Sequence, residues 1–340
     1  MTAAVADRGR RLQHEHGRQW LHREKGDPWA ALATGFDDDP GPHVERIRTA
    51  GAVVRSSLGV HVTARYAVVA RAWAHPGLHP VAPELTLEFA EPAAFPSADS
   101  AALSSADPAA SLAADPATFP VTERVTRQLA GLGDAFNVVT DVAVPVAGPA
   151  AVWAAQARDA AICPQRLADD RTLTGAAPDR HALAAAEGAG LLANTVAALL
   201  DTPPAWQRVA ADPALAAAAV AETVRYDPPV RLHVRVAHDG VRLDGATIER
   251  GERLILLTAA AGRDPAAYPE PGRFRLGRDL RATPVLAAPG PHAVALAEAG
   301  IRALAARYPD LRRDGPAVRR RRAPVTGSLL HLPARSGGAK

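Results

Sequence analysis

The chain has 340 residues, enough for one large domain or two ordinary ones, and 48% of them are hydrophobic, so a sizeable core can form. Only 4% are aromatic and much of the apolar content is alanine, which implies close-packed helices and a mainly helical fold. The formal net charge is +3, with much of the excess base in Arg319-Arg320-Arg321-Arg322. A nucleic-acid binder spreads its basic residues over a face with aromatics between them, so that class is not expected, and the tract reads as a solvated turn or a contact with an acidic partner.

Met1 to Leu12 lacks an apolar h-region and runs into Arg8, Arg10 and Arg11, so no secretory leader is expected. An N-terminal arm over residues 1–40 carries Trp20, Trp29 and Phe36 and ends at Asp37-Asp38-Asp39-Pro40, a helix-start or turn cluster. A helix over Pro42–Ala50 comes next, then extended runs at Val53–Ser57 and Val60–Thr63 with Gly59 between them, which suggests a hairpin. A helix follows from Tyr66 to Trp73. Residues 76–120 are dense in Pro, Ala, Ser and Asp and read as an irregular segment.

Helices resume at Val121–Gly131 and Val142–Ala161. Cys163 follows, the single cysteine of the chain. One cysteine excludes an internal disulfide and a cysteine-based zinc cluster, and it fits a reducing, cytoplasmic setting in which the residue is an inert buried thiol. Ala182–Leu200 is the longest apolar stretch, yet it contains Glu187 and Asn194 and is rich in Ala and Gly. A membrane span needs about 20 strongly apolar residues, so this segment reads as a helix through a large core. Helices at Pro204–Ala211 and Pro213–Arg225 follow, the second stopping before Asp227-Pro228-Pro229. Alternating runs flank Asp244-Gly245, a strong hairpin signal. A proline-rich meander covers Asp264–Gly277, a helix covers Ala293–Tyr308, and strands are expected around the arginine tract between Pro316 and Pro333. No internal repeat or domain boundary is visible, so residues 1–340 read as a single domain.

Glu222 and Arg225 lie three apart and share a helix face. Alone such a pair is a common surface feature worth about a few tenths of a kcal/mol. Its context is unusual. It closes a helix before Tyr-Asp-Pro-Pro, and Arg235-Val-Ala-His-Asp239, Asp244-Gly245, Gly262-Arg-Asp-Pro265 and Arg273-Phe274 follow in order. This series resembles the C-terminal half of bacterial cytochromes P450, which implies a mainly α fold with small β-sheets, truncated and P450-like. The resemblance also implies that Glu222, Arg225 and Arg273 form a buried structural network, tolerable only if every member is paired.

The chemistry of that family is missing. The resemblance places its haem-ligating cysteine, whose thiolate on iron promotes O–O cleavage, at Val294. His292 stands at a position that would contact a haem propionate, and two residues along an extended loop is the wrong depth for an iron ligand. The acid–alcohol pair of the central helix would fall near Ala186 and Glu187, where no acidic residue is followed by threonine. Residues 76–120 lack the His-x-x-x-Arg pattern that holds propionates, and the chain is short between Ala161 and His181. No haem or other cofactor is therefore expected. Glu187-Gly-Ala-Gly190 is not a nucleotide loop, because no strand precedes it. Nothing in the sequence positions His14, His16 and His22 for a metal.

These losses, together with Arg11-Leu-Gln13, Trp20, Gly26-Asp-Pro28, Asp37-Asp-Asp-Pro40 and Val318-Arg-Arg-Arg-Arg-Ala-Pro-Val325, resemble the haem-less, P450-derived auxiliary proteins of antibiotic aminosugar glycosyltransferases. The resemblance implies a non-catalytic activator of a glycosyltransferase that transfers a TDP-deoxyaminosugar to a polyketide (macrolide or anthracycline) aglycone. It also implies two activators on a glycosyltransferase dimer as a heterotetramer. Trp20, Trp29 and Phe36 of the arm are the candidate partner-binding residues, since exposed aromatics are enriched at interfaces. The competing readings are a P450-like enzyme with unusual haem or other cofactor binding, and a recruitment domain for an assembly line.

Overall fold

The computed structural model of the protein describes residues 3–37, 39–81, 121–163, 178 and 180–337. Most of the 76–120 segment, expected from the sequence to be irregular, and most of the stretch between Ala161 and His181 lie outside the described residues.

The arm is helical. Helix α1 (Ala3–Glu24) leads into α2 (Pro28–Thr34), which starts with Pro28 in its first turn behind an Asp27 cap. One Asp27 oxygen accepts from the Trp29 and Ala30 amides at 2.8 and 3.1 Å. The other accepts from Ser56 Oγ and the Ser57 amide at 2.8 and 2.7 Å. The cap therefore also ties the arm to the next hairpin. That hairpin, β1 (Val54–Arg55) and β2 (His61–Thr63), turns at Gly59 with φ +81°, and it follows α3 (Gly41–Ala50). Helix α4 (Tyr66–Ala74) then precedes a short strand, β3 (Leu78–Pro80), inside the segment read as irregular.

After α5 (Val121–Ala130) and β4 (Ala135–Asn137), the single helix expected over Val142–Ala161 is broken. A π-helical turn (Val138–Ala143) runs into α6 (Val144–Ala147), and α7 (Ala150–Ile162) leaves at 98° to that pair. The cause is local: Gly148 has φ +109° and Pro149 caps the new helix, so the hydrogen-bond ladder stops between them. Cys163 lies just beyond α7, buried, its Sγ donating to Thr34 O at 3.3 Å.

Helix α8 (Arg180–Leu200) runs through the core, as its composition implied. Among the described residues it is the one helix long and apolar enough to cross a membrane, and 72% of that apolar window is buried inside the fold. It packs against α7, α10 (Leu215–Tyr226) and α12 (Pro291–Arg307), with α9 (Ala205–Ala211) alongside. Leu191, Leu192, Val196, Leu199, Trp206, Leu296 and Ile301 fill this core. Small side chains allow close crossings: a Cβ on Gly300 of α12 would stand 2.7 Å from Leu192 Cδ1.

The main sheet has the order β1-β2-β8-β5-β3, where β5 is His233–Ala237 and β8 is Arg253–Leu256. Only β2 and β8 pair in parallel within it. The Asp244-Gly245 hairpin forms as β6 (Val241–Leu243) and β7 (Ala246–Ile248), with φ +48° and +84° at the two turn residues. A short α11 (Thr258–Ala261) leads into the meander. Near the C-terminus β10 (Val318–Arg319) pairs with β11 (Leu329–His331), and β12 (Pro333–Arg335) joins β4 to β9 (Arg312–Arg313).

Candidate functional site

The Glu222–Arg225 pair sits at the end of α10, and both side chains are buried. Arg225 Nη2 and Nε donate to the two Glu222 oxygens at 2.7 and 2.9 Å. Its Nη1 donates to Gly262 O and Pro271 O at 2.7 and 2.9 Å, and Nη2 also donates to Arg273 O at 3.0 Å. All five N–H groups of the guanidinium are therefore used, the condition under which a buried charge is stable. The third charged member is Arg278, whose Nε donates to Glu222 Oε1 at 3.0 Å. Arg273 contributes only its carbonyl. Its side chain is 76% exposed and pairs with Glu270 at 2.8 Å. The expectation for the Arg273 side chain is corrected accordingly, because the meander turns its backbone inward there and brings Arg278 round to the carboxylate.

The residues that the P450 resemblance assigns to a cofactor site, Val294, His292 and Glu187, lie where α8 meets α12. Val294 and His292 stand in the first turn of α12, not on an extended loop, because Gly290 caps the helix and Pro291 opens it. Two residues apart on a helix, the two side chains point in well-separated directions. Val294 packs on the main core. His292 is partly buried, and burial, then Arg124 and His181, lower its pKa. Glu187 forms an ion pair with Arg158 at 2.7 Å, and its other oxygen lies 3.5 Å from the Gly290 amide. The acid of the central helix is thus used to fasten α7 and the start of α12.

The residues present do not fit a haem. A Cβ on Gly188 of α8 would stand 3.5 Å from Ala293 Cα and 3.3 Å from Leu296 Cδ1. A flat macrocycle between two helices needs about 3.5–4 Å of contact distance on each of its faces. The two backbones meet directly, and the position that the resemblance assigns to the ligating cysteine holds valine. Restoring the ligand alone is therefore expected to fail: Val294→Cys protein, expressed with haem supplied, should show no Soret band. A Soret band in that variant, absent from Val294→Ser, would show that the space exists.

The candidate partner-binding aromatics separate in the structure. Trp29 is 4% exposed and packs with Ile47, Val62, Val234 and Ile255, so it anchors the arm and is not available to a partner. Trp20 and Phe36 are 40% and 43% exposed. Their rings lie 5.7 Å apart, the Arg23 guanidinium stands 4.8 and 5.0 Å from the two ring centres, and Arg23 bonds Asp37 at 2.8 Å. Beside them opens a cleft of about 160 Å³, lined in part by Leu32, Val44 and Pro324 with Arg320 and Arg321. It adjoins the pair through Gly35, whose carbonyl accepts from the Arg322 amide at 2.7 Å. Of the histidines in α1, His22 bonds Ser57 Oγ at 2.6 Å.

The arginine tract also has an acid inside the chain. Arg319 and Arg231 both pair with the buried carboxylate of Asp227, just beyond α10. Burial alone would raise the Asp227 pKa, but Arg231, Arg319 and Arg263 outweigh it and hold the group below 3.8. A carboxyl depressed in the folded state adds stability above its unfolded pKa, and that stability is lost as pH falls through the folded value. Urea midpoints measured between about pH 5 and pH 2 should therefore fall more steeply for the wild type than for Asp227→Asn.

The order of helices and sheets, with the Glu222–Arg225 network at the end of α10, defines a P450 fold. The cytochrome P450 family profile matches residues 201–284. The crystal structure of Mycobacterium smegmatis CYP164A2 with econazole bound is similar at a TM-score of 0.65 and 22% identity, covering 93% of this chain and 100% of that one. Protein DesVIII of Streptomyces venezuelae is 33% identical, over 98% of this chain and 95% of its own length. Cytochrome P450 family protein EryCII of Saccharopolyspora erythraea is 35% identical, over 98% of this chain and 99% of its own. The chain belongs to the family of these two relatives, the P450-derived auxiliary proteins that its sequence resembles.

Proposed function

We propose that this protein is a non-catalytic activator and stabiliser of an antibiotic glycosyltransferase that transfers a TDP-deoxyaminosugar to a polyketide aglycone. One observation carries the reading: Gly188 and Ala293 meet where a P450 would hold its cofactor, while the Glu222–Arg225 network that supports the fold is complete. A scaffold that keeps its packing without that cofactor's space is suited to binding rather than to P450 chemistry. A partner that binds only the active conformation of an enzyme shifts its population toward that conformation by mass action.

The docking face is assigned to the arm, centred on Trp20 and Phe36 and continuing into the arginine-rimmed cleft. Its occupant is an acidic, apolar-anchored surface of the glycosyltransferase. Two activators on a glycosyltransferase dimer, in the cytoplasm, is the assembly this reading entails. Purified glycosyltransferase from the same gene cluster should gain soluble yield and turnover when the protein is added, and the two should co-elute. Equal solubility and turnover without it would overturn the proposal.

A further inference from the structure

Helix α1 meets the rest of the fold along one side. Glu15 and Gln19 on that side are buried, Gln19 Nε2 donates to Ile162 O at 2.8 Å, and Arg18 Nη1 donates to Leu58 O at 3.3 Å. Arg10, Gln13, Gly17, Trp20, Leu21 and Glu24 are all exposed. Their spacing of three and four residues keeps them within about 60° of Gly17 around the helix axis, in one stripe about 21 Å long. Among the described residues Leu21, at 54%, is the most exposed of the large hydrophobic side chains. The Phe36 ring, 5.7 Å from Trp20, widens the apolar part of the stripe.

Gly17 stands at the middle of this stripe. Its φ is outside the left-handed region, and a Cβ on it would meet nothing within 4 Å. The fold itself therefore gives no reason for glycine there, although glycine weakens a helix interior relative to alanine. A second backbone crossing at this point would supply the reason, because small residues let helices approach closely. Arg10, Gln13, His14 and Gly17 frame one surface hole, and Gly17, Trp20, Leu21 and Glu24 frame the next. With no side chain at the shared corner, the two holes merge into one notch walled by Trp20 and Leu21. Charge at its N-terminal end is unbalanced: Arg10 and Arg11 share the single carboxylate of Asp7, at 3.3 and 3.1 Å.

We propose that Gly17 is a helix-crossing point, where an α-helix of the glycosyltransferase lies along α1. An aliphatic side chain of that helix fills the notch, and an acidic one faces Arg10 and Arg11. The inference rests on the activator role proposed above and gives its docking face a definite partner chemistry. A helix suits the stripe better than an extended segment, because holes repeating every three to four residues match the ridges of a second helix. The acid is required by the excess of positive charge at Arg10 and Arg11, which complementary interfaces balance across the contact.

The test uses the full-length protein and the glycosyltransferase from the same gene cluster, with Kd from calorimetry and Tm of each free variant. Gly17→Ala should raise Tm by about 1–3 °C, since the helix gains and nothing clashes. It should nevertheless weaken the complex about tenfold, and Gly17→Gln should weaken it further by filling the notch. Gly9→Ala is the matched control. Gly9 also has open space around it but lies about 80° round the helix from Gly17, so its substitution should raise Tm alike and leave Kd unchanged. Arg10→Gln combined with Arg11→Gln should flatten the salt dependence of association. The proposal is overturned if Gly17→Gln binds like the wild type, if Gly17→Ala melts lower than the wild type, or if the double arginine variant keeps the full salt dependence. Failure of the wild type to bind the glycosyltransferase would overturn the activator role and this inference together. Binding and activation by the wild type, with unchanged affinity in Gly17→Gln, would overturn this inference alone.

Discussion

Replacing Arg225 with methionine is expected to destabilise the fold by about 3–5 kcal/mol, the range for removing one partner of a buried ion pair. The guanidinium donates to both oxygens of Glu222 and to the carbonyls of Gly262, Pro271 and Arg273, and the Glu222 and Arg225 side chains are both fully buried. Without it, Glu222 keeps only Arg278 and the Arg275 amide. Three carbonyls that joined α10 to the meander also lose their donor. Single domains are stable by about 5–15 kcal/mol, so a loss of this size leaves a large unfolded fraction under mild denaturant. Urea unfolding followed by circular dichroism measures it. Arg273→Ala is the matched control, expected within about 0.5 kcal/mol of the wild type because its side chain is exposed. Equal losses at Arg225 and Arg273 would contradict the network described above.

The second large effect is on association. Trp20→Ala, and separately Phe36→Ala, should each weaken the complex with the glycosyltransferase by about 2 kcal/mol, or roughly 30-fold in Kd, as aromatic anchors at interface centres do. Both rings are about two-fifths exposed, so the free protein should remain folded in either variant. Trp29→Ala separates the two roles. Buried among Ile47, Val62 and Val234, it should cost about 3–5 kcal/mol of folding stability, as core Trp-to-Ala changes do. Calorimetry of the pair, with circular dichroism of each free variant, distinguishes the cases. Unchanged affinity in Trp20→Ala and Phe36→Ala would remove the arm from the interface and leave the activator role to be tested on turnover alone.

The two tryptophans show what one dimension leaves open. Both lie in the helical arm, and exposure depends on which side of α1 and α2 meets the β1–β2 hairpin. Asp27 sets that orientation by bonding Ser56 and Ser57, nearly thirty residues ahead. The arginine tract is similar. Its charge is plain in the chain, but its pairing with Asp227 joins residues far apart in sequence. The break at Gly148-Pro149 and the start of α12 at Pro291 were signalled locally, by a glycine–proline pair and by a proline at a first helical turn.

The absent cysteine at Val294, the order of the P450 elements, the Asp244-Gly245 hairpin and the burial of Ala182–Leu200 follow from the sequence by itself. Each rests on residue identity, on the period of apolar positions or on turn chemistry within a few residues. Only the tertiary structure decided that Arg278 rather than Arg273 reaches Glu222, that α8 and α12 close on each other at Gly188 and Ala293, and that the Arg235 guanidinium is buried over the Trp73 ring. Those outcomes depend on which way a loop side chain faces and how near two helices approach. Both are set by the packing of distant segments.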